Sequence, residues 1–340
     1  MGRFRHALKY KAPPQHTAYV KLRPISDWIA VKCPTGRGLV KGSQESHSAI
    51  LPGMATKPRI AIVGAGNLGS AVALALCRSG YLVDGVIARS DRASLRKVRS
   101  LSQRGGGVAV RPDQINADVV WLCVPDGEIS NAAKALAEKR DWKGRVALHS
   151  SGALTSDELE VLRQRGADVA SVHPLMTFVR GSCPELVDVP FAIEGDRVAA
   201  RAARRIVSDL GGRSYPIRKQ DKVAYHAWAT FASPLLTALL ATTEHAATAA
   251  GVRGKAARQR MLPILEQTLA NYAKLGPAAS FSGPIIRGDV ETVRQHLRAI
   301  SGMPAVREVY RALAKAALAY LPVKNRRKLE KILESKSGKD

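Results

Sequence analysis

The chain has 340 residues, 46% hydrophobic and 24% charged, enough for two soluble domains with real cores. Four widely spaced cysteines, Cys33, Cys77, Cys123 and Cys183, contain no Cys-x-x-Cys; this argues against a zinc ribbon or a disulfide framework and fits a reducing cytoplasm. The net charge of +25 favours nonspecific contact with polyanions, but aromatics are only 5%, and arginines such as Arg201, Arg204, Arg205, Arg253, Arg258 and Arg260 are spread along predicted helices, so no specific nucleic-acid partner is expected.

Residues 1–56 carry Pro13-Pro14, scattered basic residues and little apolar period. They read as a disordered basic leader without the apolar core of a secretory signal. Met54 stands just before the first predicted strand, and translation from Met54 is the expectation.

From Lys57 strand and helix alternate. Strands are predicted near 59–64, 81–88, 107–110, 118–124, 145–149, 168–172, 190–194 and 213–217. Helices are predicted near 67–79, 91–103, 127–139, 155–165 and 197–210. This rhythm predicts an α/β domain over residues 57–218, a doubly wound parallel Rossmann sheet with right-handed crossovers.

The first βα turn reads Ile60-Ala-Ile-Val-Gly64-Ala-Gly66-Asn-Leu-Gly69. Gly64 suits the tight turn, Gly66 lets a pyrophosphate approach the backbone, and Gly69 lets the helix lie close on the strand. The N–H groups of the helix start, with Asn67 and Leu68, would hold the anion. An NAD site usually places an acid at the tip of the second strand, but here the tip is Ala88-Arg89-Ser90. Arg89 and Ser90, with Arg92 behind them, suit a 2′-phosphate, so NADP(H) is expected.

In such sheets ligands sit beyond the carboxyl ends of the strands. One tip ends in Val124-Pro125-Asp126, the next in His149-Ser150-Ser151-Gly152, and a third in Ser171-Val-His173-Pro174-Leu175. Ser156 is expected to cap the helix that follows it.

From Lys219 the pattern becomes helical, with segments near 219–250, 254–275, 289–299, 304–320 and 324–335 punctuated by Gly251, Gly276-Pro277, Gly283-Pro284 and Gly302. This predicts an all-helical second domain over 219–322 and a charged tail over 323–340. The longest apolar stretch, Ala227 to Ala250, holds Pro234, Glu244 and His245, and is expected to be a buried core helix, not a membrane span. Tyr225-His226 opens it, and Phe281-Ser-Gly-Pro-Ile-Ile-Arg-Gly-Asp289 forms a later loop, followed by His296. No His-x-x-x-His, His-Glu-x-x-His or Gly-x-Ser-x-Gly pattern occurs, so neither a metal site nor a serine-hydrolase elbow is expected.

Taken together, the Gly64–Gly69 triplet, Val124-Pro125-Asp126, His149-x-Ser151-Gly152, His173-Pro174-Leu175, Tyr225-His226 and Ser282-Gly-Pro-x-x-Arg287-Gly-Asp289 resemble a family of NADP oxidoreductases without a settled substrate. Its members join a Rossmann domain to a helical domain of unknown function, similar to the C-terminal domain of 6-phosphogluconate dehydrogenase. Broader relatives are pyrroline-5-carboxylate reductase, ketopantoate reductase and the deazaflavin-dependent NADP oxidoreductases. The resemblance covers roughly residues 57–320 and implies a homodimer paired through the helical domains. There is one departure. Pro234 stands eight residues past His226, where members often carry Asn. The Lys with a helical Asn partner of the hydroxyacid dehydrogenases was not found, so their mechanism is not carried over.

The expected activity is hydride transfer between NADP(H) and a small, anionic carbonyl or imine substrate. The reduced product needs a proton, which histidine can supply. His226 is the first candidate and His173 the second. Ser151 and the Gly152 N–H would hold the substrate, Arg287 would bind its carboxylate, and Asp289 would fix the loop. Cofactor contacts are expected from Gly64, Gly66, Asn67, Leu68, Gly69, Arg89, Ser90, Val124, Pro125, Asp126 and His149. The alternative reading is a non-catalytic NADP-binding sensor or scaffold.

Overall fold

Ile60, Ala61, Ile62 and Val63 are all buried and form β1 (Ile60–Val63), an interior strand of a seven-stranded sheet. The computed structural model describes residues 57–88, 91–104 and 111–335. The leader, the strand expected near 107–110, and the Arg89-Ser90 pair lie outside the described residues.

The other strands are β2 (Val83–Ile87), β3 (Val119–Leu122), β4 (Val146–His149), β5 (Asp168–Pro174), β6 (Pro190–Gly195) and β7 (Arg213–Pro216). Their order is β2-β1-β3-β4-β5-β6-β7. After β1 the chain moves to one side to make β2, then returns to the other side to make β3. The reversal leaves a crevice at the carboxyl end of β1, where open α/β sheets bind ligands.

Side chains alternate across the sheet, and both faces are covered. Ile60, Ile62, Trp121 and Leu148 pack with Val72 and Leu76 of α1 (Asn67–Arg78) and with Ala203 and Ile206 of α5 (Arg197–Asp209). Ala61, Val63, Val120, Leu122 and Ala147 pack with Ile129, Ala133 and Leu136 of α3 (Ile129–Ala137) and with Trp142. A strand buried on both faces needs an unbroken apolar run, which β1 and β3 supply.

The sheet is mostly parallel, as expected of a doubly wound Rossmann domain, with one exception: β6 runs antiparallel to β5. The connection across residues 175–189 contains no helix to carry the chain over the sheet, so the chain turns back beside β5. The helix α5 then crosses over to β7, which is parallel to β6. A correction concerns residues 155–165, where a 3-10 turn, Ser156–Leu159, precedes the short α4 (Glu160–Arg163). Thr155 caps this turn by accepting from the Asp157 N–H, whereas Ser156 is fully buried and donates from Oγ to Glu194 at 2.9 Å.

The chain divides into two compact units, one reaching through His226 and the other starting at Ala227. The second is helical. It contains the end of α6 (Lys222–Thr230), then α7 (Leu236–Ala246), α8 (Lys255–Ser280), α9 (Pro284–Arg287), α10 (Val290–Ala299), α11 (Pro304–Tyr320) and α12 (Arg326–Glu334). Its core is small: Val293, Leu297, Ala314, Leu318, Leu329 and Leu333 join α10, α11 and α12. Between α6 and α7 a π-helical turn, Phe231–Leu235, surrounds Pro234, which lacks the N–H that an α-helical ladder needs there. Gly276, at φ 74°, ψ 176°, breaks α8 before Pro277.

The stretch from Ala227 to Ala250 is not a buried core helix. It belongs to a helical run, Lys219–Ala250, that is long and apolar enough to cross a membrane, and only 6% of its most apolar window is buried within the chain. Trp228, Phe231 and Leu235 are exposed, as are Ile264, Leu269 and Tyr272 of α8. None of Phe231, Leu235, Ile264, Leu269 and Tyr272 belongs to the small core formed by α10–α12.

Candidate functional site

Gly64, Gly66 and Gly69 form the turn between β1 and α1, and each has a different environment. Gly64 has φ +106°, and a Cβ placed on it would lie 2.5 Å from the Cys123 carbonyl oxygen. A Cβ on Gly69 would lie 1.9 Å from the Gly64 oxygen, so α1 packs against the turn with no room for a side chain. A Cβ on Gly66 would meet nothing within 4 Å. The same residue is the N-cap of α1, no side chain caps the helix there, and its first turn carries no acid. The first amides and the positive end of the helix dipole therefore face open space beside Gly66. This cradle suits a pyrophosphate. Leu68 packs on the core, and the Asn67 side chain donates to the Phe178 carbonyl at 3.1 Å, leaving the Asn67 backbone to face an anion.

At the tip of β2, the residue after Ser90 is an acid. Asp91 is the N-cap of α2 (Arg92–Gln103), and its carboxylate accepts from the Ala93 and Ser94 N–H groups and from the Ser94 hydroxyl. It is thus engaged as a cap and not aimed at a ribose.

At the tips of β3 and β4, the Asp126 carboxylate accepts from Ser151 Oγ at 2.8 Å. That hydroxyl also accepts from the Ala153 and Leu154 N–H groups, so Ser151 clamps its own turn to Asp126. Val124 packs on the core, and Pro125 leads into the turn Asp126–Glu128. His149 is fully buried. Its Nδ1 accepts from the Ser151 N–H at 3.1 Å, so Nε2 carries the proton and donates to the Thr155 carbonyl at 2.9 Å. Burial pushes this imidazole down to about 4, so it is neutral, with both nitrogens used inside the fold.

His173, on β5, stands over Gly152. A Cβ on Gly152 would lie 2.8 Å from His173 Nε2 and 2.5 Å from His226 Cδ2, so only a glycine lets the two rings approach. The rings meet edge to face, with centroids 5.9 Å apart. His173 Nδ1 shares a 2.9 Å hydrogen bond with Tyr225 Oη. Burial, and then the nearby Lys222, His226 and His149, push His173 down to about 4.

The sequence reading missed Lys222. It is fully buried and donates from Nζ to Ser171 Oγ at 2.6 Å and to the Ser151 carbonyl at 3.0 Å. Burial lowers it to about 8, against the opposing pull of Glu194 and Asp126. A signal was available: Lys222 lies three residues before Tyr225 and four before His226, on one helical face.

The first unit thus gathers Asp126, His149, Ser151, Gly152, His173, Lys222 and His226. Arg287 and Asp289 belong to the second unit. There they form an ion pair, Nη2 to Oδ2 at 2.8 Å, beside Gly288, whose carbonyl accepts from Asn325.

Comparison with known proteins agrees with this architecture. A Rossmann-like domain model matches residues 45–174, and a domain of unknown function, DUF2520, matches residues 189–317. The chain therefore joins a Rossmann-like N-terminal domain to a DUF2520 C-terminal domain. No curated protein matches the sequence. Among solved structures, an inferred NADP oxidoreductase from Bacteroides fragilis aligns with a TM-score of 0.64 at 22% identity, covering 76% of this chain and 97% of that one. Protein TM1727 from Thermotoga maritima aligns at 0.58 and 23% identity, covering 81% and 98%. A reductive aminase from Aspergillus terreus, solved with NADPH and ethyl-5-oxohexanoate, aligns at 0.54 and 14% identity, covering 78% and 94%. The fold is thus shared with NADP-dependent oxidoreductases.

Proposed function

We propose that this chain is an NADP(H)-dependent oxidoreductase acting on a small carbonyl or imine compound. The observation that carries this reading is the pairing of two features on one sheet. The open helix start beside Gly66 lies at the carboxyl end of β1, and the two histidines over Gly152 lie at the carboxyl ends of β4 and β5.

NADP(H), when bound, supplies or accepts the hydride. The Gly64–Gly69 turn and the first amides of α1 hold its pyrophosphate, and Arg89, Ser90 and Arg92 receive the 2′-phosphate. His226 and His173 face the reacting carbon and supply or take the proton. Lys222, held beneath the Ser150-Ser151-Gly152 turn, keeps positive potential under a substrate that becomes anionic when reduced.

We also propose that the active form is a homodimer. The exposed apolar side chains of α6, the π turn and α8 support this, because a second copy would cover them.

The test is calorimetric titration with NADPH and NADH, followed by NADPH oxidation across a panel of 2-oxo acids, aldehydes and cyclic imines. Binding of NADPH in preference to NADH, with turnover of a panel member that His226→Ala abolishes at unchanged NADPH affinity, supports the reading. Binding without turnover supports the sensor alternative, and no binding of either nucleotide overturns the assignment.

A further inference from the structure

The two ring nitrogens of His173 face different surroundings. Nε2 points at Gly152 and the His226 ring, where the proposed chemistry occurs. Nδ1 points away from it, to Tyr225 Oη at 2.9 Å, with the two rings perpendicular and 5.5 Å apart. Tyr225 is itself buried, and its hydroxyl is hydrogen-bonded to that of Tyr215. Those two rings lie 6.2 Å apart. Tyr215 sits half-buried on β7, the last strand at one edge of the sheet, between exposed neighbours. An unbroken line of exchangeable protons therefore runs from the site to the rim of the first unit.

We propose that Tyr225 and Tyr215 form a proton conduit that supplies the far side of His173 while its Nε2 proton passes to the product. The proposal rests on the oxidoreductase reading above. Hydride addition to a C=O or C=N carbon leaves a lone pair and negative charge on the heteroatom, which must gain one proton. In the conduit the His173 Nε2–H bond breaks as the new O–H or N–H bond forms on the product. The Tyr225 hydroxyl proton passes to Nδ1, the Tyr215 hydroxyl proton passes to the Tyr225 oxygen, and water re-protonates Tyr215. The imidazole stays neutral throughout but now carries its proton on Nδ1. Once product has left, water re-protonates Nε2 while the Nδ1 proton returns through Tyr225 and Tyr215, so that over the whole cycle one proton enters from solvent and one leaves on the product. Oxidation runs the same steps in reverse.

The surroundings explain why a conduit is needed. His173 is packed among Lys222, His226 and His149, and burial already opposes a charge on its ring. Such an imidazole does not store a second proton near neutral pH, so it can give one up only while taking another on its far side.

The test uses Tyr225→Phe and Tyr215→Phe in the full chain, with NADPH and the panel member that turns over fastest. Each change keeps the ring and removes one hydroxyl. NADPH affinity should be unchanged, and kcat should fall about tenfold or more for Tyr225→Phe. The solvent deuterium isotope effect on kcat should rise, and added imidazole should restore part of the rate, which a merely structural defect would not allow. If Tyr225→Phe keeps kcat within about twofold of wild type, or loses rate with neither a larger solvent isotope effect nor imidazole rescue, the conduit is overturned. If Tyr225→Phe does not fold, Tyr215→Phe at the sheet edge carries the same criteria. A wild-type protein that binds NADPH but reduces no panel member overturns the oxidoreductase reading and the conduit together. Normal turnover in both variants overturns the conduit alone.

Discussion

Lys222 donates from Nζ to Ser171 Oγ across 2.6 Å, in a position with no exposure to solvent. The same ammonium holds the Ser151 carbonyl, so one side chain from α6 ties the turn after β4 to the middle of β5. Lys222→Met keeps much of the side-chain length but leaves both partners without that donor. It should destabilise the protein by about 1–3 kcal/mol, because loss of a buried donor outweighs relief of the buried charge. Urea unfolding would show this as a lower midpoint at unchanged slope. An unchanged midpoint would show that the two bonds contribute nothing net.

The three glycines of the βα turn should respond differently to the same substitution. Gly66→Ala meets no neighbour, so its thermal midpoint should match wild type while NADPH affinity falls by about tenfold or more, since the methyl occupies the path of the pyrophosphate. Gly64→Ala and Gly69→Ala should fail to fold stably, because each methyl would strike backbone. Calorimetric titration of Gly66→Ala beside thermal melts of all three would decide it. Normal NADPH binding by Gly66→Ala would remove the cradle from the proposed site.

Gly152→Ala should act on chemistry and not on cofactor affinity. Its methyl would displace His173 and His226, whose ring atoms lie within 2.8 Å of that position. We expect kcat/KM to fall about a hundredfold, with NADPH binding retained. Parallel titration and steady-state kinetics check this, and equal losses in both would place Gly152 in the cofactor site instead.

Stability should depend on mild acid. Burial holds His149 and His173 at about 4, against an ordinary value of 6.5. Between those values the unfolded chain binds protons that the native chain does not, so stability falls as pH drops through that window and returns above it. Each histidine accounts for about 2 kcal/mol at about pH 5. Lys222, lowered from 10.5 to about 8, has the same sign in another window, so its contribution makes stability rise with pH from about 8 toward 10.5. Urea midpoints measured from pH 5 to 7, with His173→Gln as control, test the acid limb. A flat profile would contradict the burial of these rings.

The apolar face of the second unit makes a separate prediction. Phe231 is 71% exposed and Ile264 is 68% exposed. The double variant Phe231→Asp, Ile264→Asp should sediment as a monomer while wild type sediments as a dimer. A monomeric wild type would refute the homodimer.

Much of this protein was legible along the chain. The run Ile60–Val63 between Arg59 and Gly64 announced a strand, and the glycine spacing announced the bend behind it. Helix limits such as Asn67–Arg78 and Pro304–Tyr320 followed from local period and punctuation. These features depend on neighbours a few residues away, and backbone sterics with alternation of apolar side chains determine them.

Tertiary structure alone decided the rest. The reversal of β6 followed from the helix-free connection across residues 175–189, but its pairing beside β5 was decided only once the sheet had formed. The exposure of Trp228 and Phe231 was not legible in their own segment, which reads as apolar. The environments of His149, His173 and Lys222 depended on partners as far as 71 residues away, such as the Ser151 carbonyl that receives the Lys222 ammonium. A residue's type is written in the chain, but its charge state and its hydrogen-bond partners are set by burial, which exists only once distant strands have paired.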